Sequence, residues 1–299
     1  MRFSYEKVAV PFAVPVNTSR GLFPFRESII VTVETEEGAS VRGEIAPWPD
    51  FGCETFSEAE AFLKSCRTQV PAIIPKNLPC TAHAFSALKF FLENPEAQSR
   101  SVPPENHCAR LIRRFPEMDS DRILDEILRE RENNYSVFKL KIGLRDQKSE
   151  LKFCEKILEC VPKGVQIRFD ANGSFSESVL PALAELSVFP TLEFFEQPLP
   201  PSKENDVRIL DFAANTNTKL ALDESVREPW RFPQETSVVA VVKPLCVADF
   251  PRLLSWLEDS RGADVVVSTV FENSAAGKSA LYLACSLLAK NRRRAFGMG

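Results

Sequence analysis

Three short apolar segments of the chain each end in an acidic residue. Residues 167–170, 192–196 and 220–223 close with Asp170, Glu196 and Asp223. These carboxylates are 26 and 27 residues apart, about one βα unit each, so successive parallel strands would carry them to one edge of a barrel. Converging carboxylates repel one another unless a cation holds them, and all-oxygen ligation suits Mg²⁺ better than Zn²⁺. For any single carboxylate the alternative is a turn or a helix cap, as residues 170–173 could form.

Three lysines accompany these acids. Lys139 and Lys141 lie two residues apart in the segment 137–143, where strand alternation puts both on one face and the apolar side chains on the other. Lys243 ends the apolar segment 238–243, where an amine is costly to bury without a partner. The alternative is a solvated strand face for the first two and an exposed edge for the third.

Together these groups predict removal of a proton beside a carboxylate. A substrate carboxylate chelated by Mg²⁺ has its α-proton acidified, because the metal stabilises the charge that forms on proton loss. A lysine crowded by a divalent cation and by other lysines has its ammonium form disfavoured, which brings the amine into the range of a general base.

The elements that must position these residues follow from the hydrophobic pattern. After about residue 107, short β-branched or aromatic segments alternate with amphipathic helical ones, which favours a parallel barrel over an open doubly wound sheet. An open sheet would usually show a Gly-rich phosphate turn, and the chain has 11 glycines and no such turn. The seven strands are predicted at 108–112, 137–142, 166–170, 192–196, 219–223, 238–243 and 264–268.

The first hundred residues predict a small α+β unit. Strands are expected at 28–35 and 40–45, after a polar loop over 17–24. One helix is expected to open at Ser57, with Glu60 completing a capping box, and another to run over 82–91.

Composition excludes several other classes of function. A net charge of −4 and a pI near 5.5 give no basic field, so nucleic acid is not an expected partner. The chain has no stretch of 18 apolar residues and no secretory signal at its N-terminus, so we expect a cytoplasmic protein without a membrane partner. Two histidines argue against a His-rich zinc site, and eight scattered cysteines suggest reduced structural thiols.

At these residues the chain resembles the o-succinylbenzoate synthase family, of the muconate-lactonising subgroup of the enolase superfamily. The resemblance includes the segments 43–51, 54–56 and 223–229, and a lysine base working with Mg²⁺ is an established enolase-superfamily arrangement. It implies an α/β fold, a modified (β/α)₇β TIM-like barrel over 106–299 with an α+β capping domain over 1–105. The loop near 17–24 would be mobile and close over the substrate.

The resemblance also implies an activity and roles for individual residues. The reaction would be Mg²⁺-dependent dehydration of 2-succinyl-6-hydroxy-2,4-cyclohexadiene-1-carboxylate, a small-molecule carboxylate, to o-succinylbenzoate in menaquinone biosynthesis. Lys141 would be the base, Lys243 would stabilise the developing charge, and Lys139 would assist electrostatically. Asp170, Glu196 and Asp223 would bind Mg²⁺, and the substrate contacts would be Ser268, Thr269, Asn172 and Arg168.

Two other functions stay open on the sequence. One is N-succinylamino acid racemase, in which Lys141 and Lys243 would act as opposed bases. The other is a catalytically silent Mg²⁺-binding barrel. The sequence ends at Gly299, at the expected eighth strand, where the resembled family usually continues into a further segment; the oligomeric state is left open.

Overall fold

The computed structural model describes residues 1–18, 21–99, 107–233, 237–259, 264–289 and 294–297. Within these ranges the chain forms two compact units. The first takes residues 1–102, 243–259 and 267–292, and the second takes 103–242, 260–266 and 293–299. The predicted domain boundary between residues 105 and 106 lies outside the described residues, so a cap and a barrel divided at that point stay a prediction.

A seven-stranded sheet in the order β10-β9-β8-β7-β6-β5-β4 carries the predicted barrel pattern. Every consecutive pair from β4 to β9 is parallel. All seven predicted strands are present and differ from their predicted ranges by at most two residues; the first begins at Arg110 rather than at Cys108. The strands are β4 (Arg110–Ile112), β5 (Val137–Lys141), β6 (Gln166–Asp170), β7 (Leu192–Glu196), β8 (Leu220–Leu222), β9 (Val239–Val242) and β10 (Val265–Val267).

Helices alternate with these strands as a parallel arrangement requires, since each return to the same edge needs a crossover. They are α3 (Ser120–Glu132), α4 (Gln147–Cys160), α5 (Leu180–Leu186) and α6 (Lys203–Thr216). Capping explains where α3, α4 and α6 begin, since the side chains of Asp119, Asp146 and Ser202 each accept a hydrogen bond from a backbone N–H in the first turn.

The last described residues stand where an eighth strand belongs. Phe296 forms a parallel bridge with Cys108, and its carbonyl accepts a 2.7 Å hydrogen bond from the Ala109 N–H. Next to it, the Arg294 guanidinium pairs with Asp264, the residue that precedes β10. This segment therefore connects the two outer strands of the sheet, as the closure of a (β/α)₇β barrel requires.

The first unit is built on a three-stranded antiparallel sheet in the order β1-β2-β3. Helix α2 contacts β3, and buried Ala84 and Leu88 lie where a side chain at Gly43 would otherwise stand. The elements are β1 (Arg2–Thr18), β2 (Gly21–Glu34), β3 (Ser40–Ile45), α1 (Phe56–Ser65), α2 (Pro79–Glu93), α7 (Phe250–Asp259) and α8 (Ala275–Ala289).

Two predictions in this unit need correction. The prediction of a loop over 17–24 is wrong for the described residues, because Asn17 pairs with Leu22 and Thr18 with Gly21 at the ends of two antiparallel strands; residues 19–20 lie outside the described residues. Helix α1 is capped by Thr55 and Glu58 rather than by Ser57 and Glu60. Both pairs fit the capping-box spacing, and Glu60 instead forms ion pairs with Lys7 and Lys64.

His83 lies in the interior of the first unit. His83 is buried, its Nδ1 lies 3.0 Å from the Val247 carbonyl oxygen, and burial lowers its pKa to about 4. These contacts give His83 a packing role. Among the described helices, none combines the length and the hydropathy that crossing a membrane would require.

Candidate active site

The Lys139 ammonium lies between two of the predicted carboxylates. Its Nζ is 2.8 Å from Asp170 Oδ2 and 2.8 Å from Glu196 Oε1. The lysine side chain is 19% exposed, and the two acids are 3% and 2% exposed. A buried charge of this kind needs both an opposite charge and hydrogen bonds, and Lys139 supplies both to each acid.

Strand register explains why these side chains meet. Lys141 is paired with Asp170 across β5 and β6, and Asp170 is paired with Glu196 across β6 and β7. Asp223 directly follows β8. Parallel strands in register bring their carboxyl ends to one edge, where barrel enzymes hold their catalytic groups.

The pKa of Lys139 reflects the same group of carboxylates. Burial, the largest single effect, lowers the pKa of its ammonium, but Asp170, Glu196 and Asp223 together outweigh burial and raise that pKa well above its ordinary value. These carboxylates therefore hold Lys139 as an ammonium in the metal-free site. A group that holds its proton so tightly suits electrostatic support rather than proton abstraction.

The turns after these strands are fixed by polar contacts. Asn172 has a φ of 44°, its N–H donates to Asp170 Oδ1 at 3.1 Å, and its side-chain amide donates to Glu224 Oε1 at 3.1 Å. Asn172, predicted as a substrate contact, thus lies beside the Asp170 carboxylate and braces the turn that follows it.

Gln197 is a positioning residue that the sequence reasoning missed. It directly follows Glu196, is fully buried, and its Oε1 accepts a 2.9 Å hydrogen bond from the Asp223 N–H. Its Nε2 donates to the carbonyl of Leu199 and to the hydroxyl of Ser225. One amide therefore ties the end of β7 to the end of β8, although only its place next to Glu196 could have indicated this.

A buried ion pair holds the end of β5, which carries Lys141. Arg114 donates to both carboxylate oxygens of Glu150, at 2.7 and 2.8 Å, and neither side chain is exposed. Arg114 also donates to the Lys141 carbonyl at 3.1 Å, and Glu150 accepts from the Gly143 N–H at 2.8 Å. The pair therefore fixes the backbone on both sides of Ile142.

Arg168 does not join this cluster. Its guanidinium donates to Glu193 at 2.7 and 3.2 Å and to the Ala295 carbonyl at 2.7 Å, with 1% of the side chain exposed. Glu193 is the second residue of β7, after Leu192, whereas Glu196 is the last. The hydrogen bonds of Arg168 are directed to a network that also includes Arg294, and its contact with substrate stays a prediction.

The remaining predicted residues belong to the first unit. Lys243 follows the last residue of β9, is 7% exposed, and its Nζ lies 4.1 Å from the centre of the Phe51 ring. Ser268 is buried after β10. The Thr269 hydroxyl donates to Glu272 and accepts from the Phe271 N–H, so both hydrogen bonds stabilise the turn that contains Thr269.

Phe51 belongs to an aromatic cluster of this unit that the sequence reasoning also missed. The Trp48 ring lies 5.9 Å from the Phe51 ring and 5.8 Å from the Phe271 ring. Phe23 lies 5.4 Å from Trp48, and the Arg26 guanidinium lies over the same indole at 4.8 Å. The cluster thus combines flat apolar faces with the cationic groups of Arg26 and Lys243.

The donor set fits a hard divalent cation. Three carboxylates against the single ammonium of Lys139 leave an excess of two negative charges among these four groups. Carboxylate oxygens are the ligands that Mg²⁺ prefers, and a divalent charge offsets that excess. Asp170, Glu196 and Asp223 are the residues that would hold the ion.

The second unit is thus a parallel β/α barrel with acids and lysines at its strand ends, the arrangement of the enolase class. Residues 122–244 match the family model described as enolase C-terminal domain-like. The o-succinylbenzoate synthase of Photorhabdus laumondii is 30% identical over 266 residues, covering 83% of this chain and 75% of the relative. That of Thermosynechococcus vestitus is 28% identical over 233 residues, covering 76% and 69%. The chain belongs to the o-succinylbenzoate synthase family.

Solved structures agree on the fold. The o-succinylbenzoate synthase of Thermosynechococcus elongatus, crystallised with Mg in its active site, aligns with a TM-score of 0.77 over 100% of this chain and 93% of that chain, at 23% identity. The N-succinyl Arg/Lys racemase of Bacillus cereus aligns with a TM-score of 0.74 over 95% and 84%, at 20% identity. At these identities the likeness concerns the fold alone, and the two activities share it.

Proposed function

We propose that this chain is an o-succinylbenzoate synthase that dehydrates 2-succinyl-6-hydroxy-2,4-cyclohexadiene-1-carboxylate with Mg²⁺, as a step of menaquinone biosynthesis. The observation that carries the proposal is the contact of Lys139, two residues before Lys141 on β5, with both Asp170 and Glu196 at the strand ends. Family membership supplies the substrate. The all-thiol state of the eight cysteines fits a reducing compartment, and we place the enzyme in the cytoplasm.

The chemistry needs a base, a cation for the developing charge and an acid for the leaving group. Mg²⁺ held by Asp170, Glu196 and Asp223 would lower the energy of the negative charge that grows on the substrate carboxylate. Lys141 takes the proton from the ring carbon that bears the carboxylate, and its ammonium then returns a proton to the departing hydroxyl. Water leaves, and the new ring double bond completes the aromatic product.

The other lysines act through charge. Lys139 would assist electrostatically from its place against the carboxylates of Asp170 and Glu196. Lys243, held against Phe51 in the first unit, would stabilise the developing anion through its ammonium, which is the role that the family resemblance implies. Ser268 and Asn172 remain candidates for polar contacts with the substrate.

The test is a side-by-side assay of dehydration and of N-succinylamino acid racemisation. Wild type with Mg²⁺ should form the aromatic product, and Lys141→Ala should lower kcat by about 10²–10⁴-fold, the usual contribution of a general base. Lys156→Ala, on an exposed position of α4, is the matched control and should keep full activity. Racemisation by wild type without dehydration would reject the proposal, and retained turnover in Lys141→Ala would reject the assignment of the base.

A further inference from the structure

Three cysteines that are far apart in the sequence meet in the first unit. The sulfur atoms of Cys53, Cys80 and Cys246 all lie within 4.8 Å of one another. Cys80 and Cys246 are buried and Cys53 is half-buried. Sulfurs bound to one metal at about 2.3 Å lie roughly 4 Å apart, so the thiols need to move little to share an ion.

Each sulfur is carried by backbone that is already fixed. Cys80 is the second residue of α2, and its N–H donates to Glu54 Oε2 at 3.0 Å, while the next N–H, that of Thr81, donates to Glu54 Oε1 at 2.6 Å. Glu54 is the neighbour of Cys53, so the same carboxylate links two of the three cysteines. The Cys246 N–H donates to the Lys243 carbonyl at 3.0 Å in a 3-10 turn.

Two cations face this thiol cluster. Arg26 is 4% exposed, its guanidinium donates to the carbonyls of Ala46 and Pro47, and it interacts electrostatically with Cys80 and Cys246. The charge of Lys243 likewise acts on Cys246. Positive charge at this place stabilises thiolates over thiols, which is what a bound metal requires.

Without a metal the thiols keep their protons. Hydrogen bonds with Cys246 and Cys53, together with burial, raise the pKa of Cys80 well above the ordinary value. A hydrogen bond with Cys53, together with burial, does the same for Cys246, although its hydrogen bond with Cys80 acts in the opposite direction. The cluster is therefore unreactive in its protonated form. A cation that binds has to displace these protons, and only a strongly thiophilic one can do so.

We propose that Cys53, Cys80 and Cys246 form a three-sulfur binding site for a soft monovalent cation of the Cu⁺ type. Thiolates select soft ions, and structural Zn²⁺ sites take four ligands. Among the described residues, no fourth His, Cys, Asp or Glu joins this group. Three thiolates and one Cu⁺ carry two net negative charges, and the charges of Arg26 and Lys243 reduce the cost of burying them. Binding releases three protons and involves no change of oxidation state.

The test is an anaerobic competition for Cu⁺ between the protein and a chromogenic Cu⁺ chelator, with excess Mg²⁺ present throughout. Wild type should retain one Cu⁺ per chain, show a thiolate-to-copper charge-transfer band in the ultraviolet and release about three protons. Cys80→Ser and Cys246→Ser should each weaken retention by at least about 100-fold, since even outer-shell partners of a metal contribute 10–100-fold. The bound ion should also raise the Tm of the wild type.

Two matched controls separate this site from the other thiols. Cys160→Ser removes an exposed thiol and Cys154→Ala a buried one in the second unit, and both should bind as wild type does. Cys53→Ser changes the half-buried member and serves where a buried variant fails to fold. The proposal would be overturned if the chelator removed Cu⁺ from wild type as readily as from Cys53→Ser. It would also be overturned if the wild-type protein bound Zn²⁺ in preference to Cu⁺. A disulfide among the three in the metal-free protein would overturn it as well.

Discussion

Replacing Lys139 by Met removes the ammonium that contacts both Asp170 and Glu196, while keeping a flexible side chain of similar length. The change leaves two carboxylates, 3% and 2% exposed, without their shared cation. We expect two consequences, a loss of stability in the absence of Mg²⁺ and a stronger stabilising effect of Mg²⁺ when it is added.

The magnitude follows from the contact geometry. At the 2.8 Å separation of Nζ from each carboxylate oxygen, the gross attraction is about 6 kcal/mol per pair at an effective dielectric of about 20. Much of it is offset by the desolvation that the variant no longer has to bear, and breaking a buried pair usually costs about 3–5 kcal/mol. Because the Lys139 side chain is 19% exposed, we expect the lower end, about 3 kcal/mol.

The assay is urea unfolding at pH 7, followed by circular dichroism, in chelator and in excess Mg²⁺. The variant should be about 3 kcal/mol less stable in chelator, and Mg²⁺ should stabilise it more than wild type by at least about 1 kcal/mol, since no ammonium competes for the ligands. Lys156→Met, at an exposed position, should stay within about 0.5 kcal/mol. A loss below about 1 kcal/mol in chelator, or equal Mg²⁺ effects in both proteins, would refute the reasoning.

Two other predictions concern the end of β5. Glu150→Gln leaves the buried Arg114 without its counter-charge and should cost about 3–5 kcal/mol at pH 7 in urea unfolding. Burial raises the pKa of Glu150 but its contacts with Arg114 outweigh this and lower it, so its stabilisation is complete above the ordinary value of 4.5. The deficit of the variant should therefore shrink as pH falls below that value, and a constant deficit would contradict the linkage. Gly143→Ala should lower Tm more than Gly164→Ala. Both glycines have a positive φ, 80° and 86°, but only at Gly143 would an added Cβ meet the Ser174 side chain, at 1.8 Å. Equal losses of Tm would contradict a steric cause.

The strand positions were predictable because local pattern and tertiary placement agree. The apolar segments that end in Asp170 and Glu196 became β6 and β7 with the predicted bounds, since strands buried on both faces read as continuous apolar runs. The hairpin before residue 24 was not predictable in the same way. Its polar residues resemble a loop, and only the antiparallel pairing of the two segments reveals the strands.

The site was predictable as a set of residue types but not as a set of contacts. Regular spacing of one acid per βα unit is enough to place Asp170, Glu196 and Asp223 at one edge. Spacing says nothing of Arg168, whose guanidinium is directed to Glu193 and Ala295 by contacts that span as many as 127 residues. The cluster of Cys53, Cys80 and Cys246 was not predictable for the same reason. These cysteines are far apart in the sequence and come together only in the fold.

The contacts that were not predictable from the sequence share one structural role. The ammonium of Lys139, the Arg114–Glu150 pair behind Lys141 and the Gln197 amide between β7 and β8 each fix a strand end that carries a charged group. Repulsion among like charges would otherwise separate those ends, and proton abstraction requires the reacting groups to be held in place before the substrate arrives. Substitutions at Arg114 or Gln197 should therefore lower kcat, although neither side chain is proposed to touch substrate. Even the conservative Gln197→Glu should retain less than wild-type activity. Its carboxylate can accept from the Asp223 N–H, but it cannot donate to the Leu199 carbonyl and it adds a charge beside Glu196.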